Sequence, residues 1–399
     1  MRFSRYYSAF VLGRDGDATL APGLHRLNRL AEVSAVLIMR LFDCHHRLKT
    51  LSTVEFARVI DALESYVFRR SVCGMQSRGY WQIFSSLAER LNEKHPSRSL
   101  LALLKRQRGS YRFPTDEEFH EELCRRDCYN MRTCHYLLDR LENHANKEPT
   151  DTRSLSIEHI MPQNPNLRSE WKDALGGDWK ATQQAWVHRL GNLTLTGYNS
   201  TYSDRSLTEK QSIAGGFKQS SVRLNQDVRD MSTWNAAMID ERGKRLAAQA
   251  LAIWARSPVA PDHVRETEQE ELRRVASKWS LDKVVVVDEV RALFEKMRER
   301  IVALDKSVIE VPRLKTASYH AGDGDFFAEL LPRRHRVIVL VNLELSECEY
   351  RDERVRDATE YKWVANAANA GGTYFDLTEL SQVDAAMQVV RQAYVLAAQ

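Results

Sequence analysis

Over the first 150 residues, apolar side chains recur at three- and four-residue intervals. The pattern is plainest in "LHRLNRLAEVSAVLIMRLFD" (24–43) and "STVEFARVIDALESYVFRR" (52–70). This spacing places them on one face of a helix, and such a face must be buried against other helices. Ser52 followed by Glu55 predicts a capping box at the start of the second helix. "SRGYWQIFSSLAERLNEK" and "TCHYLLDRLENHANK" continue the pattern, and "HPSRS" and "RGSYRFPTDEEF" interrupt it. Residues 1–150 are therefore expected to form a helical bundle.

From about residue 151 the texture changes. Short apolar runs, "LSIEHI" and "LGNLTLT", alternate with Asn, Gly, Pro and Ser, as strands joined by loops would. Helical text returns between Ser206 and Trp254. "RSPVAPDH" carries two prolines and marks a boundary. Beyond it, "VRETEQEELRRVASKWS" and "VVVDEVRALFEKMRERIVALDKS" read as helices, and "VPRLKTASYH", "DFFAELLP" and "RVIVLVNLEL" as strands. "YRDERVRDATEYKWVANAA" and "SQVDAAMQVVRQAYVL" read as closing helices. The expected architecture is mainly α with α+β parts. It comprises a helical bundle or linker region (1–150), a central domain (151–256) and a small α+β domain (263–399).

A chain of 399 residues exceeds what one core usually serves, and 43% apolar with 28% charged residues is ordinary soluble composition. A net charge of +4 is compatible with a polyanion partner without requiring one. The six cysteines are sparse and irregular, which suits a reducing compartment, and the opening "MRFSRYYSAFVLGRDGD", with no long apolar core, is not expected to act as a signal peptide. The most apolar window, "LAEVSAVLIMRLF", is too short to span a membrane. A cytoplasmic protein with no membrane partner is expected.

The chemistry concentrates in "SLSIEHIMPQNP" (154–165) and in the runs downstream of it. Phosphodiester hydrolysis needs a base for water, a cation for developing charge, and a scaffold for both. Two strands and a helix wrapped around one divalent ion supply these compactly. Glu158 and His159 end the first apolar run, and Pro162 stops it. "HRLGNLTLTGYN" provides the second run with Asn192 and Asn199, and "SDRSLTEK" opens a helix bearing Lys210. In a regular strand Glu158 and His159 face opposite ways, so a common site requires the backbone to bend. Hard oxygen ligands from Glu158 and Asn199 suit Mg2+ or Mn2+ better than zinc.

"IEHIMPQ", then "LGNLTLTGYN" and a Ser-Leu-x-x-Lys step, resembles the His-Asn-His (His-Me finger) superfamily of ββα-metal nucleases. The similarity is closer to the C-terminal nuclease domain of GmrSD-type modification-dependent restriction enzymes, and it extends through "STWNAAMIDERGKRLAAQALAIW". The resemblance implies a metal-dependent DNA endonuclease of a prokaryotic anti-phage defence system. His159 would be the general base, and Glu158 a metal ligand in place of the more usual aspartate. Asn192 would orient the base or anchor the hairpin, Asn199 would be the second metal-side residue, and Lys210 a phosphate or transition-state contact. Such proteins usually begin with a nucleotide-handling domain bearing an Asp-Gly-Gln-Gln-Arg motif, which this sequence lacks; "GRDGDATL" is not it. The chain is then a fragment, or the sensing half is a partner subunit. The last hundred or so residues resemble an accessory domain appended to such nucleases, and an oligomer is compatible with this organisation.

Other features are read more plainly. Trp171, Trp179, Trp186 and Trp234 are expected to fill a small core rather than stack on bases. Cys124, Cys128, Cys134 and His135 match no zinc-ligand spacing and fit a helix. Arg69 and Arg70 are read as a solvated helix face, and Lys315, Asp325 and Glu329 as unconnected to a second site. The rival to the nuclease reading is a non-catalytic nucleic-acid-binding or regulatory subunit of a defence complex. Cleavage that depends on divalent metal separates the two.

Overall fold

A computed structural model describes every residue except 1, 14–16, 108, 279–283, 285, 313–314, 323–324, 351, 359–371 and 399. The chain is mainly helical with small antiparallel sheets and divides into two compact units, Met1–Val259 and Ala260–Gln399.

The first unit opens with α1 (Arg2–Val11), α2 (Ala21–Ala31), α3 (Ala35–Asp43), α4 (Thr53–Val72), α5 (Tyr80–Arg90) and α6 (Pro96–Lys105). The run 24–43 forms two helices, α2 and α3, separated by a 3-10 turn at Glu32–Ser34. The Ser52–Glu55 capping box is present at the start of α4. "HPSRS" both interrupts and initiates: Pro96 occupies the first turn of α6, where a missing N–H costs nothing. Leu27, Leu37, Ile38, Leu41, Phe56 and Leu63 sit in the bundle core.

Two helices, α7 (Asp116–Arg125) and α8 (Cys134–Glu142), follow. The segment Asp127–Thr133 between them is a turn, although "DCYNMRTCHYLLDRL" reads as one helix. The Asp127 carboxylate accepts from the Asn130 backbone and amide, a local bond that competes with helix formation. Cys128 and Cys134 lie in apolar surroundings, which push the Cys128 thiol up to about 12.

The first sheet has two strands, β1 (Ser156–His159) and β2 (Leu193–Thr196), paired antiparallel from Ser156↔Thr196 to His159↔Leu193. Between them come α9 (Ser169–Leu175) and α10 (Trp179–Trp186), which the strand-and-loop texture of this region does not announce. After β2 the chain forms α11 (Asn199–Tyr202) and α12 (Leu207–Ser212), then turns, then α13 (Ala236–Ile253). A second capping box, Ser206 with Glu209, starts α12.

One buried cluster joins Phe68 and Val72 of α4, Phe119 of α7 and Leu137 of α8 to Leu193, Leu195, Leu246 and Trp254. Residues 1–150 and 151–256, expected as separate regions, therefore share a core. Arg69 belongs to this junction, and neither it nor Arg70 is a solvated face, since both are almost completely buried. Arg69 donates to the Trp254 carbonyl and to Asp116, and Arg70 to the carbonyls of Ser110, Arg112 and Gln76. Buried guanidinium groups survive because these acceptors replace water.

Gly191 is fixed by close approach: a Cβ there would lie 1.9 Å from the Ile239 carbonyl oxygen of α13. Arg242 of α13 reinforces the contact by donating to the carbonyls of Gly191, Leu193 and Leu224.

The second unit contains α14 (Pro261–Lys278), α15 (Asp288–Val302) and a six-stranded antiparallel sheet with α16 (Val383–Ala397). The strands are β3 (Ile309–Pro312), β4 (Ala317–His320), β5 (Phe326–Pro332), β6 (Val337–Val341), β7 (Val355–Asp357) and β8 (Thr373–Leu377), in the order β3-β4-β5-β6-β8-β7. Along β6, Val337, Val339 and Val341 meet the helices, and Ile338 and Leu340 turn to the other face. "YRDERVRDATEYKWVANAA" reads as a helix, yet Val355–Asp357 pairs with β8; the later part of that segment lies outside the described residues.

Candidate functional site

β1 ends at His159, and the chain bends through Ile160 and Met161 before Pro162. Asn192 fixes that bend. Its Oδ1 accepts from the Met161 N–H (2.8 Å) and from Trp234 Nε1 (3.1 Å). Its Nδ2 donates to the carbonyls of Met161 (3.0 Å) and Val187 (2.9 Å). With four partners and no exposure, Asn192 anchors the two strands and has no capacity left for a substrate.

Glu158 and His159 line the same hollow of about 230 Å³, together with Tyr129, Gln163, Asn199 and Asp204. Lys210 closes it from behind. Its Nζ donates to Glu158 Oε1 (2.6 Å) and to the carbonyls of His159 (2.8 Å) and Ile160 (3.2 Å). The side chain of Lys210 is 0% exposed and its three donors have three acceptors. The expected phosphate contact is thus not open to Lys210 in this arrangement; it pins the strand end and the acidic side chain. Burial raises the Glu158 carboxyl pKa and lowers that of Lys210, and each partner's charge offsets the other's desolvation.

His159 is 5% exposed, and its Nε2 lies 3.1 Å from Nδ1 of His188. Tyr129 packs edge-on against His159, with ring centroids 4.4 Å apart, and stacks on His188. Burial first, then His188 and Lys210, lower the His159 pKa to about 4, while Asp127 opposes the shift. The imidazole is therefore neutral at physiological pH and able to accept a proton.

Asn199 opens α11, and its Nδ2 donates to the Ile157 carbonyl at 2.8 Å. Asn199 Oδ1 and Glu158 Oε2 have no hydrogen-bond partner among the described residues. These are hard oxygen donors beside one hollow, as Mg2+ or Mn2+ prefers. Among the described residues, no group of three or more His, Cys, Asp or Glu side chains is placed to hold a metal. The donor chemistry fits an ion completed by water and phosphate and does not fit one held by protein ligands alone.

Three residues at this site have no role in the motif read from the sequence: His188, Tyr129 and Asp204. His188 directly precedes the "RLGNLTLT" run, so a second histidine there is a visible signal. Tyr129 leaves none, because it arrives from the turn between α7 and α8. Of the four tryptophans, Trp171 and Trp234 are 2% and 1% exposed and fill the core, whereas Trp179 and Trp186 are only partly buried at its edge. No helix among the described residues is long and apolar enough to cross a membrane.

No curated protein and no solved structure matches the chain. Residues 113–249 match the model of the family described as GmrSD restriction endonucleases, C-terminal domain. The matched span begins within the helical region and takes in α7 and α8, the elements that supply Tyr129 and share a core with β2. Over residues 113–249 the chain is therefore similar to the C-terminal domain of GmrSD restriction endonucleases.

Proposed function

We propose that this chain is a metal-dependent DNA endonuclease of the His-Me finger type, acting in a modification-dependent, anti-phage restriction system. The observation that carries the reading is the buried, neutral His159 at a strand end, beside a hollow rimmed by unpartnered oxygen donors. Its Nε2 is engaged by His188, so in the tautomer where Nε2–H donates, the lone pair on Nδ1 takes the proton from water. Tyr129 and His188 hold the ring in one orientation. Asn192 fixes the backbone just after His159, and Lys210 locks the adjoining carbonyls. Glu158 and Asn199 would hold Mg2+ or Mn2+, which when bound polarises the scissile phosphate and stabilises the leaving 3′-oxygen.

Plasmid cleavage by the parent and by His159→Ala, with Mg2+ or Mn2+ and with chelator, tests this directly. A positioned base contributes about 10²- to 10⁴-fold, and a loss of that order is expected with the fold intact. Parental nicking by His159→Ala, or cleavage indifferent to chelator, would sink the proposal. Modified and unmodified DNA compared in the same assay identifies the substrate class.

A further inference from the structure

Beside the proposed cleavage site lies a second, larger hollow of about 700 Å³, and Gln163 lines both. α9 and α10 form it. The Gly176-Gly177 turn, with Gly176 at φ 85°, brings Lys172 near Trp179. Lys172 Nζ and Lys180 Nζ lie 5.0 and 5.4 Å from the Trp179 ring centroid. Neither ammonium has a carboxylate partner among the described residues. Gln183, buried in the wall, donates to the carbonyls of Pro162 (2.9 Å) and Asn164 (2.8 Å), two residues that line the cleavage hollow. The shared loop is therefore held rigidly from the second hollow's side.

We propose that this hollow binds the nucleotide next to the scissile phosphate. Its base stacks on Trp179, Lys172 and Lys180 meet the flanking phosphates, and the exposed amides of Gln184 and Asn166 reach the base edge. An aromatic ring with two ammonium groups nearby offers a stacking surface for an unstacked base and contacts for its phosphate backbone. Amides carry a donor and an acceptor each, and so match the mixed edge of a nucleobase. The inference rests on the nuclease reading for its placement beside a scissile phosphate.

The test measures binding of a short fluorescein-labelled oligodeoxynucleotide, single-stranded and duplex, to full-length His159→Ala protein in chelator, so cleavage plays no part. Adding Trp179→Ala is expected to weaken binding about 5- to 100-fold, since stacking is worth about 1–3 kcal/mol per base. Adding Trp179→Phe, which keeps a stacking face and spares the core contact, retains most of the affinity. Lys172→Gln with Lys180→Gln lowers the dependence of log K on log salt by about 0.7 per lost phosphate contact on a single strand. Affinity within twofold for Trp179→Ala and an unchanged salt slope for the lysine variant would overturn the proposal. Failure of the parent to cleave DNA would sink the nuclease reading and the placement beside a scissile phosphate, whereas the binding losses, read without cleavage, test the nucleotide site itself.

Discussion

Glu158 and His159 are adjacent, equally buried, and treated in opposite ways by the fold. Glu158 is given a cation: Lys210 reaches it at 2.6 Å, and the pair's mutual charge offsets two desolvation penalties. His159 is given aromatic rings and a second imidazole, so it stays neutral. One side of the strand end is an ion pair that holds shape, and the other is an imidazole held neutral. Burial alone does not decide a residue's chemistry; the partner supplied with it does.

The comparison breaks most sharply if the cation is removed. Lys210→Met leaves Glu158 buried without a partner and two carbonyls without a donor, and should destabilise the protein by about 3–5 kcal/mol in denaturant unfolding. Lys210→Met combined with Glu158→Met should recover much of that loss. If the single variant is as stable as the parent, the ion pair is not what holds the strand end.

The histidine side makes a different prediction, one of pH. The folded-state pKa of His159, about 4, lies below the ordinary 6.5, so folding favours its neutral form. This contribution is fully present above pH 6.5, declines as pH falls through the window, and is gone below about 4. By linkage its size is about 3 kcal/mol. Unfolding free energy measured against pH should show this slope in the parent and not in His159→Ala. Cleavage should lose rate only as pH falls towards about 4, where His159 takes up a proton.

The smallest effect concerns the start of α12, which positions Lys210. Ser206→Ala removes the hydroxyl of the capping box and should cost about 1 kcal/mol, seen as a modest drop in Tm. A loss several times larger would mean that the cap and the ion pair form one coupled unit.

Much of the site was legible because its parts are local. "EHIMP" announces an acidic residue and a histidine at a strand end, "GNLTL" a second strand, and Ser-Leu-x-x-Lys a capped helix with a cation one turn in. Strand alternation predicts a bend at Glu158 and His159, but the pairing stays regular through His159 and the bend follows at Ile160 and Met161. Residues brought from afar were harder to see. Tyr129 sits between cysteines in text that resembles a helix, but Asp127–Asn130 bonding and the His188 carbonyl, which accepts from the Cys128 and Tyr129 backbones, hold it in a turn. Arg69 and Arg70 look solvated, because nothing local shows that the carbonyls of Trp254 and Arg112 will receive them.

By itself, then, the sequence determined the helix faces, the caps, the strand alternation and the order of the chemical groups, all set by spacings of a few residues. The tertiary structure decided which of those groups are free to react. Asn192 and Lys210 carry the right atoms for catalysis, but packing commits every one of them to backbone and carboxylate partners. His159 keeps a nitrogen in reserve because its neighbours across the fold, His188 and Tyr129, hold the ring through one edge and one face. Satisfaction of hydrogen bonds is a property of the whole packed core, and no local spacing contains it.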